Sequence, residues 1–170
     1  MPNETIRNIL SRRSVRAYTS KQISREQLDV ILAAARYAPS AMNQQGRHFL
    51  VVQGQSNIQA MLEAGGLSGN PFYGAPTVVV AFANPEAAVP AESAALSIGN
   101  MLLAAHALGL AGCWIHAVTA IFATDAGKAL QQQWGVPDGF IAVGSAALGY
   151  RDGEAPAPKP RRESCVTFIS

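Results

Sequence analysis

Apolar positions recur along this chain with different spacings, and each spacing predicts a different element. Asn3 is a helix-capping residue type, and Ile6, Ile9 and Leu10 after it fall on one helical face that ends near Arg12-Arg13. Ser24 followed by Gln27 has the form of a capping box ahead of Leu28, Ile31, Leu32 and Ala35, which together predict an amphipathic helix. Pro39 ends that helix, because the residue before a proline is pushed out of the α region. A loop from Ser40 to Gly46 follows, then Phe49-Leu50-Val51-Val52 as a first strand. A short helix from about Asn57 leads into Gly65-Gly66-Leu67-Ser68-Gly69-Asn70-Pro71, which is loop by composition.

Thr77 to Phe82 is unbroken and rich in valine, the pattern of a central strand buried on both faces. Pro90 to Leu108 is the longest helical stretch, with Gly109 placed as its stop. Its apolar character runs nearly all the way round, which suits a helix covered by a second subunit. Ala111 to Ala117 and Phe140 to Leu148 predict two further strands, separated by a helix from about Asp125 to Trp134. Arg151 to Arg162 is rich in Pro and Ala and reads as extended connector, and Cys165-Val166-Thr167-Phe168-Ile169 as a strand-like tail. With no repeat and no internal boundary, residues 1–170 are expected to form one domain, a mixed α/β chain whose single sheet is covered by helices.

Composition narrows the function classes. The chain is 49% hydrophobic and only 14% charged, a balance that favours a large surface buried between subunits. A formal net charge of +2 gives nucleic acid little to bind. The segment from Pro90 to His116 is too polar and too broken by glycine to span a membrane, and no export signal opens the sequence. Two cysteines, Cys113 and Cys165, do not make a disulfide framework, so a reduced cytoplasmic setting is expected. Three scattered histidines without carboxylates at coordinating spacing predict no metal site. The cations are unevenly placed: no Lys or Arg occurs from His48 to Gly127, while Arg12, Arg13 and Arg16 lie near one end and Lys159, Arg161 and Arg162 near the other. That distribution suggests an anion held between the terminal segments, and a phosphate suits guanidinium forks and a lysine charge.

Five short motifs in order then resemble the nitroreductase-like flavoproteins. They are Arg12-x-Ser14-x-Arg16; Pro39-Ser40-Ala41-x-Asn43-x-Gln45; Gly74-Ala75-Pro76 before an apolar strand; the helix from Asn100 into Ala105-His106-Ala107-Leu108-Gly109-Leu110; and Lys159-x-Arg161. The resemblance implies an α+β fold, a three-layer α/β/α sandwich with a mainly antiparallel central sheet. It also implies a homodimer with FMN at the subunit interface and exchange of C-terminal strands. Arg12, Arg13, Ser14, Lys159 and Arg161 would hold the FMN phosphate, and Arg16 would lie nearer the isoalloxazine, where a fixed cation eases reduction. The loop with Pro39, Ser40, Ala41, Asn43 and Gln45 would reach the partner's flavin. Trp114, Ile115, His116 and Ala117 would flank the ring.

The activity so implied is ping-pong hydride transfer through flavin N5, from NADH or NADPH to a nitroaromatic, a quinone or another flat electron-poor acceptor. No side chain need act as nucleophile or base. The chain departs from the family in having Gly46-Arg47 where Pro-Trp is frequent, in lacking a lysine just before Gly74-Ala75-Pro76, and in having no room for a long lid, which implies an open acceptor site. Other readings stand beside this one. Arg12, Arg13 and Arg16 also suit a solvated helix end favoured by the macrodipole, and Ser40 and Asn43 an ordinary loop. His106 suits a satisfied core or interface histidine. Cys113 with His116 suggests a thiol nucleophile, which the apolar strand around Cys113 argues against. A protein that binds FMN or another phosphorylated ligand without turnover is the alternative kept open by Arg47.

Overall fold

A computed structural model describes residues 3–169 of the chain. Asn3 caps α1 (Glu4–Ser11) by accepting a hydrogen bond from the Ile6 amide at 3.0 Å. Both arms of the capping box form at the start of α2 (Arg25–Arg36), where Ser24 Oγ accepts from the Gln27 amide and Gln27 Oε1 from the Ser24 amide. β1 (Arg47–Gln53) follows and breaks at Gly54, whose φ of 87° starts α3 (Gln55–Ala64) two residues earlier than the apolar pattern suggests. Next come β2 (Thr77–Ala83), α4 (Pro90–Ala107) and β3 (Ala111–Ile115). A short α5 (Val118–Ile121), which the sequence reading did not contain, precedes α6 (Asp125–Gln133) and β4 (Ile141–Gly149).

The sheet order is β1-β2-β4-β3, with every neighbouring pair antiparallel. β2 is its axis, and all seven of its residues have no exposed surface. Each fully buried valine there contributes about 1.5–3 kcal/mol of apolar transfer. The two faces of β2 feed different cores, as alternation along a strand requires. Val78, Val80 and Phe82 pack with Ile58, Met61 and Ile121 beneath α3 and α5, while Val79, Ala81 and Ala83 pack with Ile31, Ile98 and Met101 beneath α2 and α4. The result is helices on both faces of one antiparallel sheet, the three-layer arrangement expected.

Small residues let α4 lie close on its side. A Cβ on Gly112 would come within 2.7 Å of Leu102 Cδ2, and one on Gly144 within 3.1 Å of Ile98 Cδ1. The face of α4 carrying Ser93, Ser97, Met101 and Ala105 is buried, but Leu96 is left half exposed. α1 is amphipathic and buries no residue at all: Ile6, Ile9 and Leu10 remain exposed, and Asn8 Nδ2 ties the helix to α4 by donating to Leu103 O at 3.0 Å.

Past β4 the chain leaves the sheet. Residues 151–169 are exposed throughout, with a 3-10 turn at Glu163–Cys165 and no strand from Val166 to Ile169. The strand-like tail therefore does not join this protomer's sheet. Phe168 and Ile169 are 90% and 96% exposed.

Candidate functional site

The last turn of α1 delivers Arg12 and Arg13 to the start of β3. Ser14 forms a parallel bridge with Gly112, and the Val15 amide donates to Gly112 O at 3.2 Å, so the chain runs along the outer edge of β3. A cleft of ≈ 400 Å³ opens beside it, walled by Arg12, Arg13, His106, Gly112, Tyr150 and Arg151. The two arginines are used differently. Arg13 Nη1 donates to Leu10 O and Arg12 O, both at 2.8 Å, and so satisfies carbonyls at the end of α1. Arg12 Nη1 is buried and has no partner among the described residues. A buried, unpaired guanidinium N–H is costly, and an anion in the cleft would remove that cost.

His106 is not a core histidine. It faces this cleft from the end of α4, with Nε2 2.8 Å from Ser11 Oγ. Burial, and then the nearby Arg12 and Arg13, hold its imidazole below the usual histidine pKa, so it is neutral at pH 7. The sequence had no means of showing this, because Ser11 and His106 are 95 residues apart.

Arg16 stands exposed between the bridges that Ser14 makes to Gly112 and Tyr18 makes to Arg151. Its guanidinium carbon lies 5.7 Å from the centroid of the Tyr73 ring. The single Tyr18 hydroxyl proton is shared between Val15 O at 2.7 Å and Ala147 O at 3.2 Å, which pins this segment to β4. Burial keeps that phenol protonated far above its ordinary range.

At the other end of β3, Trp114 crosses Gly144, where a Cβ would stand 2.6 Å from Trp114 Cζ2. Ile115 O accepts from Ser145 Oγ at 3.1 Å. The strand stops at Ile115 rather than Ala117: His116 O already accepts from the Thr119 amide and hydroxyl, both at 3.0 Å, as the chain turns into α5. Cys113 is 2% exposed and its thiol donates to Trp114 O at 3.5 Å. His116 is exposed past the strand end, three residues on, so the two do not form a thiol–imidazole pair.

The loop from Pro39 to Gln45 lies apart from the cleft. Ser40 Oγ accepts from the Gln45 amide at 3.1 Å, and Gln44 Oε1 from the Ala88 amide at 2.8 Å. Met42, Asn43 and Gln45 hold φ values of 51°, 53° and 52°, a strained run that favours glycine. Met42, Asn43 and Gln45 are exposed, so their side chains are open to a neighbour.

Arg47 fastens this loop from behind. Its Nη1 donates to Ser97 Oγ at 2.8 Å and to Ala38 O at 3.0 Å, with longer contacts to Ser93 O and, from Nη2, to Arg36 O. Lys159 and Arg161 sit on the exposed tail and make no hydrogen bond or ion pair among the described residues. Within one protomer, then, Arg12 and Arg13 line the cleft and Ser14 lies beside it, bridged to Gly112 but outside the lining, while the loop and the tail cations stay separate. Among the described residues no cluster of three or more His, Cys, Asp or Glu could hold a metal, and no helix is long and apolar enough to cross a membrane.

Comparison with known proteins gives the frame for these pieces. The family model described as Nitroreductase family matches residues 9–65 and 63–150. The chain belongs to the nitroreductase family. A protein of Archaeoglobus fulgidus provisionally named NADH dehydrogenase/NAD(P)H nitroreductase is 32% identical over 152 residues, covering 86% of this chain and 85% of its own length. The FMN-bound nitroreductase of Bacteroides fragilis superposes with a TM-score of 0.94 at 30% identity, covering 99% of this chain and 100% of its own. The FMN-bound nitroreductase of Desulfitobacterium hafniense does so with a TM-score of 0.90 at 27% identity over the full length of both chains. Family membership thus agrees with the antiparallel three-layer fold reached from the strands and helices themselves.

Proposed function

We propose that this chain is an FMN-dependent NAD(P)H oxidoreductase that acts as a homodimer on nitroaromatics, quinones or similar flat electron-poor acceptors. Residues 1–170 would form one FMN-binding domain. The observation that carries the reading is the buried, unpartnered Arg12 Nη1 in a cleft lined by cations. The donors present fit a phosphate monoester, which carries about −1.5 to −2 charge at neutral pH. Arg12 and Ser14 bind it from the end of α1, and Arg13 adds positive potential. Lys159 and Arg161 close over it when the tail is seated.

FMN, once bound, supplies an N5 position that accepts hydride from a nicotinamide and passes it to the acceptor. The protein's part is position and charge. Arg16 brings a cation to the pyrimidine side of the ring, where reduction builds negative charge. Trp114, Ile115, His116 and Ala117 form the wall along the ring. Pro39, Ser40, Ala41, Asn43 and Gln45 cover the partner's site, which agrees with the exposure and left-handed backbone of Asn43 and Gln45 in the single protomer. The uncovered apolar face of α1, the half-exposed Leu96 and the bare Phe168 and Ile169 supply surface for the dimer and for exchange of the C-terminal segment. Arg47 donates to Ala38 O and Ser97 Oγ, which supports a structural role for it in the fold.

An absorption spectrum before and after anaerobic addition of NADH or NADPH tests the proposal. Bands near about 370 and 450 nm, set by the flavin, should appear and bleach with one or both nucleotides. A protein that remains colourless after incubation with FMN, or whose flavin neither nucleotide reduces, overturns it.

A further inference from the structure

Tyr73 is placed in a way that local folding does not require. Asn70 Oδ1 accepts from the Phe72 amide at 2.9 Å, Asn70 O from the Tyr73 amide at 3.3 Å, and Phe72 O from the Ala75 amide at 3.0 Å. Phe72, with no exposed surface, anchors this tight turn in the core. Tyr73 then takes a φ of 56° and Gly74 one of 74°, so two successive residues are left-handed. Glycine accepts that backbone freely; a tyrosine does so under strain. The strain does not serve to bury the ring, which is 44% exposed. It aims the ring outward, and the group it meets is Arg16, at 5.7 Å.

Arg16 in turn is exposed and makes no hydrogen bond or ion pair among the described residues. Without the ring, a long exposed side chain would sample many rotamers. The aromatic face attracts the guanidinium and narrows that range. We propose that Tyr73 is a positioning residue that holds the Arg16 guanidinium at the pyrimidine side of bound FMN, and so makes the flavin easier to reduce. The inference rests on the function proposed above. It assigns the effect to the ring face and not to the hydroxyl, since the contact is cation to ring.

The distinction gives the test. Tyr73→Leu removes the face and keeps bulk; Tyr73→Phe keeps the face and removes the hydroxyl. In the FMN-loaded protein, Tyr73→Leu should lower the flavin midpoint potential and slow reduction by nicotinamide about two- to fivefold, the scale of an exposed cation–π contact. Tyr73→Phe should match the parent protein. Adding Tyr73→Leu to Arg16→Gln should change nothing further, because the ring acts through Arg16. In the apoprotein, the ring-current shift of the Arg16 side-chain protons by NMR should vanish in Tyr73→Leu and persist in Tyr73→Phe. An unchanged potential in Tyr73→Leu, an equal fall in Tyr73→Phe, or additivity with Arg16→Gln would each overturn the inference alone. A chain that binds no FMN would overturn the function itself, and this role with it.

Discussion

Arg47→Met isolates what the guanidinium does, because methionine keeps much of the apolar stem and removes the donors. Arg47 Nη1 bridges Ala38 O at 3.0 Å and Ser97 Oγ at 2.8 Å, linking the segment just past α2 to the middle of α4. Ser97 is fully buried and its hydroxyl donates to Ser93 O at 3.2 Å, so its oxygen is the acceptor that would be left without Arg47. Partial burial lowers the guanidinium pKa from its usual value, yet arginine stays charged at any working pH. Hydrogen bonds from a charged donor are worth about 1.5–3 kcal/mol. Arg47 is only partly buried, so the lower part of that range applies, about 2 kcal/mol in all. For a chain of this size that corresponds to a fall in Tm of roughly 4–8 °C. Urea and thermal unfolding of the apoprotein, parent against Arg47→Met, measure it. Arg47→Lys should recover only part of the loss, since an ammonium cannot fork between Ala38 O, Ser97 Oγ and Arg36 O in one fixed plane. A change below about 0.5 kcal/mol in Arg47→Met, the range of an ordinary surface substitution, would refute the argument that Arg47 fastens the corner.

The remaining expectations concern the site and its pH response. Arg12→Ala should weaken FMN retention by about 1.5–3 kcal/mol, the value of a charge-assisted hydrogen bond, read by titrating FMN into apoprotein; equal affinity would remove Arg12 from the phosphate clamp. His106, held below its unfolded pKa by burial and by Arg12 and Arg13, is protonated more readily in the unfolded chain. Its neutral form therefore costs nothing above about pH 6.5, and stability is lost as pH falls below that value toward the folded pKa. The urea midpoint should drop less between pH 8 and pH 5 in His106→Gln than in the parent, with His48, which is also shifted down by burial, contributing an equal background to both. Deleting Val166 to Ser170 should yield monomer that loses FMN, by gel filtration and absorbance; a truncated protein that stays dimeric and yellow would exclude exchange of the tail.

The elements were legible because their signals are local. A capping box, a proline stop and an unbroken apolar run act over a few positions, so the Ser24–Gln27 box forms, the helix ends before Pro39, and the strand predicted over Thr77 to Phe82 forms with one further residue. Even the two-sided burial of β2 follows from its lack of polar alternation. The missed α5 is only four residues long, too short to carry a helical period. The end of β3 was overextended for a similar reason: pairing ends at Ile115, nothing in the types of His116 and Ala117 marks that stop, and the turn into α5 is set by His116 O bonding Thr119.

The cation pattern likewise pointed to an anion site. It could not divide the labour between Arg12, left with a free buried donor, and Arg13, spent on the carbonyls of α1. Periodicity and caps decide which residues become helix or strand, since those preferences are summed over near neighbours. Arg47 against Ser97, Ser11 against His106 and Arg16 against Tyr73 meet across 50 residues or more. Such meetings follow from how β2, β4 and α4 pack, and no local preference encodes the distance between side chains that only packing brings together.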